Sequence, residues 1–506
     1  MNYFITSRQD LLTSAIELAQ VKRLRIFDSL HQPATIVTLA YNFAHREVEK
    51  KLDVGGRVIN LFQYFQKLPY RVFDARSDGQ LAQLILHQSG FVVHEAEHAA
   101  YAGDKKRVQV VYNDQRRIYY IDYLDRFGFL DQRDFYDCGC RSHSEFYEDR
   151  GRVVTRQYYD GQGNPKLIYY YRGGDNNQPV LTMIRLADRG QVVSFDTEDD
   201  LRAYFLDQLV EDDPHACFIS DRSDYTFKAF KKMKYLIPRY QVFHSAFTEN
   251  GQPDGKLFTV YDGIKEMLDK KFLRGLISAT QQETTEAGKR FDTAASYGIP
   301  VTYLDQGLLL KHIPFEQRKR GQIIAVARLT NVKRLDHLIN TVITLHEKFP
   351  VVDLKIYGFD DSWNNYATST HLKRLVKDKQ AGDYIHFCGY EHDLTAVYET
   401  AAVEVLTSSY EGFAMALLEA QGHGCPAVSY DINYGPAEII KDGESGRLLP
   451  AGDMHALYVT LAELLQNHDL LRQYSAHAQE AAAKYSFENV RKRWADFLKK
   501  ERLYQE

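Results

Sequence analysis

From residue 316 onward the chain alternates short β-branched runs with amphipathic helical stretches, a pattern that admits little besides a parallel, doubly wound α/β sheet. "IIAVA" (323–327) reads as a buried strand, and the helix after it carries Leu335, Leu338, Ile339, Val342 and Leu345 on one stripe. "LKIYG" (354–358), "IHFCG" (385–389), "VEVLT" (403–407) and "PAVSY" (426–430) read as further strands. A second region of the same kind opens the chain: strand "YFIT", a helix with Ile16, Ala19, Arg23, Leu24 and Phe27, then strand "ATIVT" at 34–38. It resumes after residue 215 with "ACFIS", "YQVFHS", "GLISA" and "PVTYL".

Between about 65 and 210 the texture changes. "RVQVVYNDQRRIYYIDYLD", "GRVVTRQYYDGQGNPKLIYYY" and "VLTMIRL" alternate on a period of two and are dense in Tyr, with turn pieces such as Asp160-Gly161 and Gly173-Gly174 between them. We read an antiparallel β domain inserted into the first α/β domain. The expected class is therefore α/β, with two Rossmann-like domains facing a cleft. Residues 1–64 plus 211–315 form the first, 65–210 the β-rich insert for acceptor or partner binding, and 316–485 the second. Residues 486–506 form a C-terminal helix that crosses back to the first domain.

At 506 residues the chain is too long for one ordinary core. Lys and Arg total 63 against 68 Asp and Glu, so no global basic field argues for nucleic acid. The start lacks the basic-then-apolar order of a signal peptide, and no stretch approaches 18 uninterrupted apolar residues. The expected location is the cytoplasm, including the inner face of the membrane through peripheral contact. Five cysteines in so long a chain make no disulfide framework. Cys138, Cys140 and His143 offer three metal ligands, but no second cysteine pair completes a site.

His94-Glu95-Ala96-Glu97-His98 matches H-E-x-x-H, the signature by which zinc proteases hold metal and general base. That chemistry needs both histidines on one helix face. Gly90 and Gly103 leave only a short, uncapped window, and the segment lies in the β-rich insert. Along a strand, positions i and i+4 lie about 13 Å apart, too far to share one zinc. No metal site is expected.

In open α/β sheets ligands bind at the carboxyl ends of strands, and the interesting side chains fall there. After strand 323–327 come Arg328 and Lys333, two cations where a helix begins, suited to a diphosphate beside helix-terminal amides. After strand 403–407, Glu411 and Glu419 are separated by seven residues, with Gly412 leaving the backbone accessible and a helix starting near Phe413 to Met415. Eight residues along a helix is a little over two turns, so the carboxylates can project to related faces, one toward a sugar hydroxyl and the other toward a ribose.

Arg-x4-Lys, then E-x7-E inside "EGFAMALLEAQGHGCPAV", then "GPAEIIKDGESGRLL" resembles the donor half of a retaining glycosyltransferase of family 4 with the GT-B fold. The resemblance implies Arg328 and Lys333 on the donor diphosphate, Glu419 on the nucleotide ribose, and Glu411, Gly412 and the Phe413-Ala414-Met415 backbone at the sugar. It implies uracil near Cys388-Gly389-Tyr390. "SAIELAQVKRLRIFDSLHQPATIVTLAYN", the Tyr-rich insert and "YQVFHSAFT" are similar to bacterial enzymes that glycosylate serine-rich surface adhesins and to those that glycosylate wall teichoic acid. By that match His244 is the cleft histidine near the donor sugar. Relatives tend to carry glycine in the first β-to-α loop, where this chain has Thr13-Ser14-Ala15 with Ala15 at the glycine's position, and the resemblance implies Ser14 and Ala15 near the donor.

What the resemblance implies is transfer of glucose or N-acetylglucosamine from UDP-glucose or UDP-GlcNAc by a front-face reaction. A donor phosphate oxygen takes the acceptor proton, and two cations serve where other enzymes use a metal. The implied acceptors are a serine-rich protein or a polyol-phosphate polymer, and the implied assembly is a homo-oligomer or a complex with a related activator subunit. Two rivals are a non-catalytic partner subunit of the same architecture and a glucan-extending synthase. The complete polar set counts against the first, the Tyr-rich insert against the second.

Overall fold

The computed structural model describes residues 1–10, 15–42, 45–69, 75–113, 116–137, 139–361 and 364–504. The chain divides into two compact units, one of Met1–Glu17 with Ala34–Ile237 and the other of Leu18–Pro33 with Pro238–Glu506.

In the first unit, parallel strands lie in the order Val58–Asn60, Ala34–Thr38, Asn2–Thr6, Cys217–Ser220. Asn2–Thr6 and Ala34–Thr38 are buried at every residue, as strands covered on both faces by helices must be. Phe4 stands in register with Ile36 on one side and Ile219 on the other.

The same unit holds, among its described residues, a ten-stranded antiparallel sheet that runs from Val92–His94 to Gln191–Phe195 with its strands in strict sequence order. Alternation along these strands sends one set of side chains inward: Val108 and Val110, Leu167 and Tyr169, Ile184 and Leu186 are buried. Helix Glu198–Asp212 follows, begun by a capping box in which Thr197 and Asp200 satisfy each other's backbone N–H groups.

In the second unit, strands Arg239–Val242, Gly275–Ser278 and Ser296–Gly298 are parallel neighbours. "PVTYL" is not the strand it was expected to be. Pro300 has no N–H to give a ladder, and pairing ends with Ile299 N–H on Ser278 O, while Leu304 keeps a single bridge to Ser486. The second parallel sheet has the order Ile385–Gly389, Asp353–Tyr357, Gln322–Val326, Val403–Leu406, Ala427–Tyr430, Gly446–Leu449. The stripe Leu335, Leu338, Ile339, Val342, Leu345 is buried against it. Strand order reverses between Gln322–Val326 and Val403–Leu406, which makes the carboxyl ends of these two strands the topological switch point.

The last long helix, Phe487–Lys500, buries Val490, Trp494, Phe497 and Leu498. Trp494 meets Phe27 edge-on at 5.4 Å, and Phe497 meets Tyr240 and Tyr297, each at 4.9 Å. No helix among the described residues is long and apolar enough to cross a membrane.

Candidate active site

The switch point gathers the charged side chains. Arg328 leaves the end of strand Gln322–Val326 and is exposed. Its loop lies against Gly358, at the end of the neighbouring strand, with φ 152°. A Cβ at Gly358 would stand 1.9 Å from Ala327 O, so only glycine lets these strand ends close up.

Lys333 ends a short 3₁₀ turn, Asn331–Lys333, that is tied down from the opposite strand end. Thr407 Oγ1 donates to Lys333 O at 2.9 Å and to Arg334 O at 3.0 Å, and Ser409 N–H donates to Val332 O at 2.8 Å. The turn therefore cannot move independently of residues 407–411. Lys333 Nζ donates to Glu411 Oε1 at 2.5 Å, and Ser408 Oγ donates to the same oxygen at 2.6 Å. The pair is largely screened from solvent, with side-chain exposures of 18% and 12%. Partial desolvation strengthens the attraction and fixes both groups, and removal of either partner strands a charge.

Glu411 is held by its main chain as well, its N–H on Asn433 O at 2.8 Å and its O accepting from Tyr434 N–H at 2.7 Å. The next residue, Gly412, has His244 O where its Cβ would stand, at 2.6 Å. This close approach brings His244, at the end of strand Arg239–Val242, beside the Glu411–Phe413 segment.

The helix here starts at Met415, within the expected range, with Ala414 in the left-handed region at φ 63° as its N-cap. Glu411 thus lies outside the helix, and its relation to Glu419 does not follow from helical spacing. The loop sets it. Helix Met415–Gly422 directs its first-turn N–H groups toward its amino end, a favourable position for an anion.

Glu419 lies in the second turn of that helix and accepts from Tyr398 Oη at 3.1 Å. Burial raises its pKa, opposed by Lys22 and by the Tyr398 hydrogen bond. Lys22, on helix Ala15–Ser29, is itself held by Thr302 Oγ1 at 2.8 Å and Tyr303 O at 2.9 Å. Burial lowers the Lys22 pKa, and Glu419 is the largest influence raising it. Glu404, fully buried, accepts from Val326 N–H at 3.1 Å, and burial together with Glu419 pushes its pKa well up.

Cys388, Gly389 and Tyr390 are exposed at the end of strand Ile385–Gly389, where Gly389 O accepts from Gly358 N–H at 2.8 Å. Tyr390 faces Phe359 at 6.0 Å, so these strand ends present two partly exposed rings. Tyr357 behind them has its pKa pushed up to about 12 by burial and by Cys388.

Structure therefore brings Lys333, Glu411 and the His244 main chain together and sets Glu419 on the helix that follows. Ala15 opens helix Ala15–Ser29, exposed, whereas Ser14 lies outside the described residues. Cys138 is outside them too, and no cluster of three or more metal-ligating side chains occurs among the residues described. His94 and His98 do not lie along one strand: His94 ends strand Val92–His94, residues 95–97 turn, and His98 is left-handed at φ 52° before strand Ala99–Ala102. The turn overrides the alternation that was expected there. Lys22, Ser408 and Tyr398 were missed from sequence, though Ser408 stands only three residues from Glu411.

Residues 310–481 match the family of glycosyl transferases group 1. Over 97% of this chain and 96% of the relative, the sequence is 26% identical to the UDP-N-acetylglucosamine--peptide N-acetylglucosaminyltransferase GtfA subunit of Streptococcus gordonii. It is 23% identical, over 98% and 99%, to the poly(ribitol-phosphate) alpha-N-acetylglucosaminyltransferase of Staphylococcus aureus. A crystal structure of a mutant of TarM from S. aureus, in complex with fondaparinux, alpha-GlcNAc-glycerol and UDP, superposes with a TM-score of 0.81, 19% identity and coverage of 98% and 99%. At that identity the likeness is one of fold, and the fold is GT-B with a β-rich insertion.

Proposed function

We propose that this group 1 glycosyltransferase moves glucose or N-acetylglucosamine from a UDP-sugar, with retention at the anomeric carbon, to Ser or Thr hydroxyls of a serine-rich surface adhesin. The observation that carries the reading is the Lys333–Glu411 pair at the switch point, beside the amino end of helix Met415–Gly422.

In this reading, departure of UDP leaves an oxocarbenium-like sugar and puts charge on the β-phosphate. Arg328 and Lys333 meet that charge with donors already in place, so they stabilise the transition state more than the bound donor. Glu411, with Gly412 and the Phe413-Ala414-Met415 backbone, orients the sugar hydroxyls, and His244 faces the same sugar. Glu419 accepts from the ribose, and the Cys388-Gly389-Tyr390 edge carries the uracil. Ser14 and Ala15 line the donor from the first loop. In the front-face route of this reading the acceptor proton passes to a phosphate oxygen of the donor, and no nucleophilic side chain is required. The two cations make a metal unnecessary.

A second reading, α-glycosylation of wall teichoic acid, is supported by the likeness over nearly the whole chain to a poly(ribitol-phosphate) alpha-N-acetylglucosaminyltransferase. The likeness to a protein named as a subunit supports an assembly with a related activator subunit, with a homo-oligomer as the other arrangement. The cytoplasm, including the inner membrane surface, is where UDP-sugars are available. A non-catalytic partner would have no use for the full charged set.

The test is UDP release in EDTA, with UDP-glucose and UDP-N-acetylglucosamine offered in turn against a serine-rich adhesin fragment and against teichoic acid. Release that depends on the adhesin supports the first reading and release that depends on teichoic acid the second. No release from a folded protein, with or without an activator subunit, overturns both.

A further inference from the structure

The first unit contains a cavity of about 380 Å³ to which none of the donor residues contributes. Its size falls within the roughly 300–1,000 Å³ of small-molecule sites. It lies between the loop after strand Ala34–Thr38, the inner face of the ten-stranded sheet, and the first turns of helices Glu198–Asp212 and Ser223–Lys232.

Its walls are rings. His143 stacks on Phe135 at 4.3 Å and 6° and on Tyr158 at 5.1 Å, with Tyr41 edge-on at 4.9 Å. Tyr119 and Tyr225 complete the lining, the first of them 41% exposed.

The charged groups on the wall are already matched. Arg156 Nε donates to Glu145 at 2.9 Å. Arg202 donates to Glu198 at 2.8 Å and Asp199 at 2.9 Å. His143 is 5% exposed, and its Nδ1 is enclosed by the protein, so the ring lines the cavity as an aromatic surface. Burial, then Arg156, holds this imidazole's pKa well below its ordinary value, so the ring is neutral.

An anion entering this cavity finds no unspent positive charge, because both guanidiniums already face carboxylates, and an alkyl chain would cover the wall's guanidinium groups without accepting from them. A ligand with apolar C–H faces and several hydroxyls satisfies both kinds of wall at once.

We infer that the cavity is a second carbohydrate site, which holds one uncharged pyranose residue by stacking on Tyr119 and Tyr225 and by hydrogen bonds to Arg156 and Arg202. The pyranose chemistry follows from the cavity alone. Its use, to retain an acceptor that already carries a transferred sugar, rests on the glycosyl-transfer reading above.

The test uses the full chain with saturating UDP, so that the donor residues are occupied, and methyl α-N-acetylglucosaminide as the probe, followed by saturation-transfer NMR. Tyr119→Ala and Tyr225→Ala should each weaken probe binding by about fivefold or more, the order expected for loss of one stacked ring. Both variants should leave the initial rate on an unglycosylated acceptor unchanged and raise KM for an acceptor that already carries a sugar. Tyr119→Ala alters an exposed position, so loss of fold does not mimic the result, and thermal melting confirms it.

Probe affinity that is unchanged in both variants overturns the site. So does binding that UDP alone abolishes, or tighter binding of glucose 6-phosphate or of an indole. Failure of the transfer reading looks different: the probe still binds and still responds to Tyr119→Ala, while no acceptor yields UDP release.

Discussion

Lys333 Nζ and Glu411 Oε1 stand 2.5 Å apart although 78 residues separate them in sequence, and Ser408 Oγ shares the same carboxylate oxygen. The two side chains act as one unit. Lys333→Ala should lower kcat by at least about a hundredfold, on the order of 3 kcal/mol of transition-state stabilisation. Glu411→Gln should cost a similar factor, and the double variant little more than either single one. Steady-state UDP release on the four proteins measures this, and additive losses would separate the two roles.

Gly412→Ala places a methyl group 2.6 Å from His244 O and 2.7 Å from Ser245 Cα, both main-chain atoms that cannot swing aside. Overpacking of this kind costs about 1–3 kcal/mol. Denaturant unfolding should show that loss, and kcat should fall as well because the shift is passed directly to Glu411.

Glu419 has its pKa raised by burial, while Lys22 opposes the rise. As a ribose acceptor it acts in its charged form, so kcat/KM for the donor should fall as pH drops through the raised pKa. Lys22→Met removes the cation that favours the charge and should move this acid limb to higher pH. A pH profile identical to wild type would detach Lys22 from the site.

Glu404 is fully buried with its pKa pushed well above the ordinary carboxyl value, by burial first and Glu419 second. A group raised on folding contributes stability that is complete below its unfolded pKa and is lost as pH rises through the folded one. Glu404→Gln keeps the acceptor for Val326 N–H and cannot ionise. Its Tm should match wild type in acid and exceed it increasingly toward alkaline pH.

Activity should persist after dialysis against EDTA, because Arg328 and Lys333 supply the positive charge at the diphosphate. Restoration by magnesium or manganese of an activity lost on dialysis would contradict that assignment.

The parallel sheets were legible because covered strands run short and rich in β-branched residues: "ATIVT" matches strand Ala34–Thr38 residue for residue. The stripe from Leu335 to Leu345 was legible for the corresponding helical reason, and it is buried. Local irregularity was not legible. "PVTYL" has strand composition, but its proline removes a donor and Tyr303 is used instead to hold Lys22. The spacing of Glu411 and Glu419 appeared helical, yet the helix begins at Met415 behind a left-handed Ala414, which leaves Glu411 outside it. Gly412 was read as giving access to a ligand, and its observed neighbour is the His244 main chain. Lys22 escaped notice because a lysine in an amphipathic helix looks like solvated surface, and only the partner from residue 419 shows otherwise.

The ten-stranded sheet pairs each strand only with its neighbours in sequence. Its contacts are local, so it can zip up hairpin by hairpin, without the long loop closures that slow the parallel sheets. A sheet wired this way can also gain or lose a hairpin without rerouting the chain, as repeat arrays do. Its length is therefore open to evolutionary change at low cost, and related chains can differ in reach while their parallel sheets stay the same.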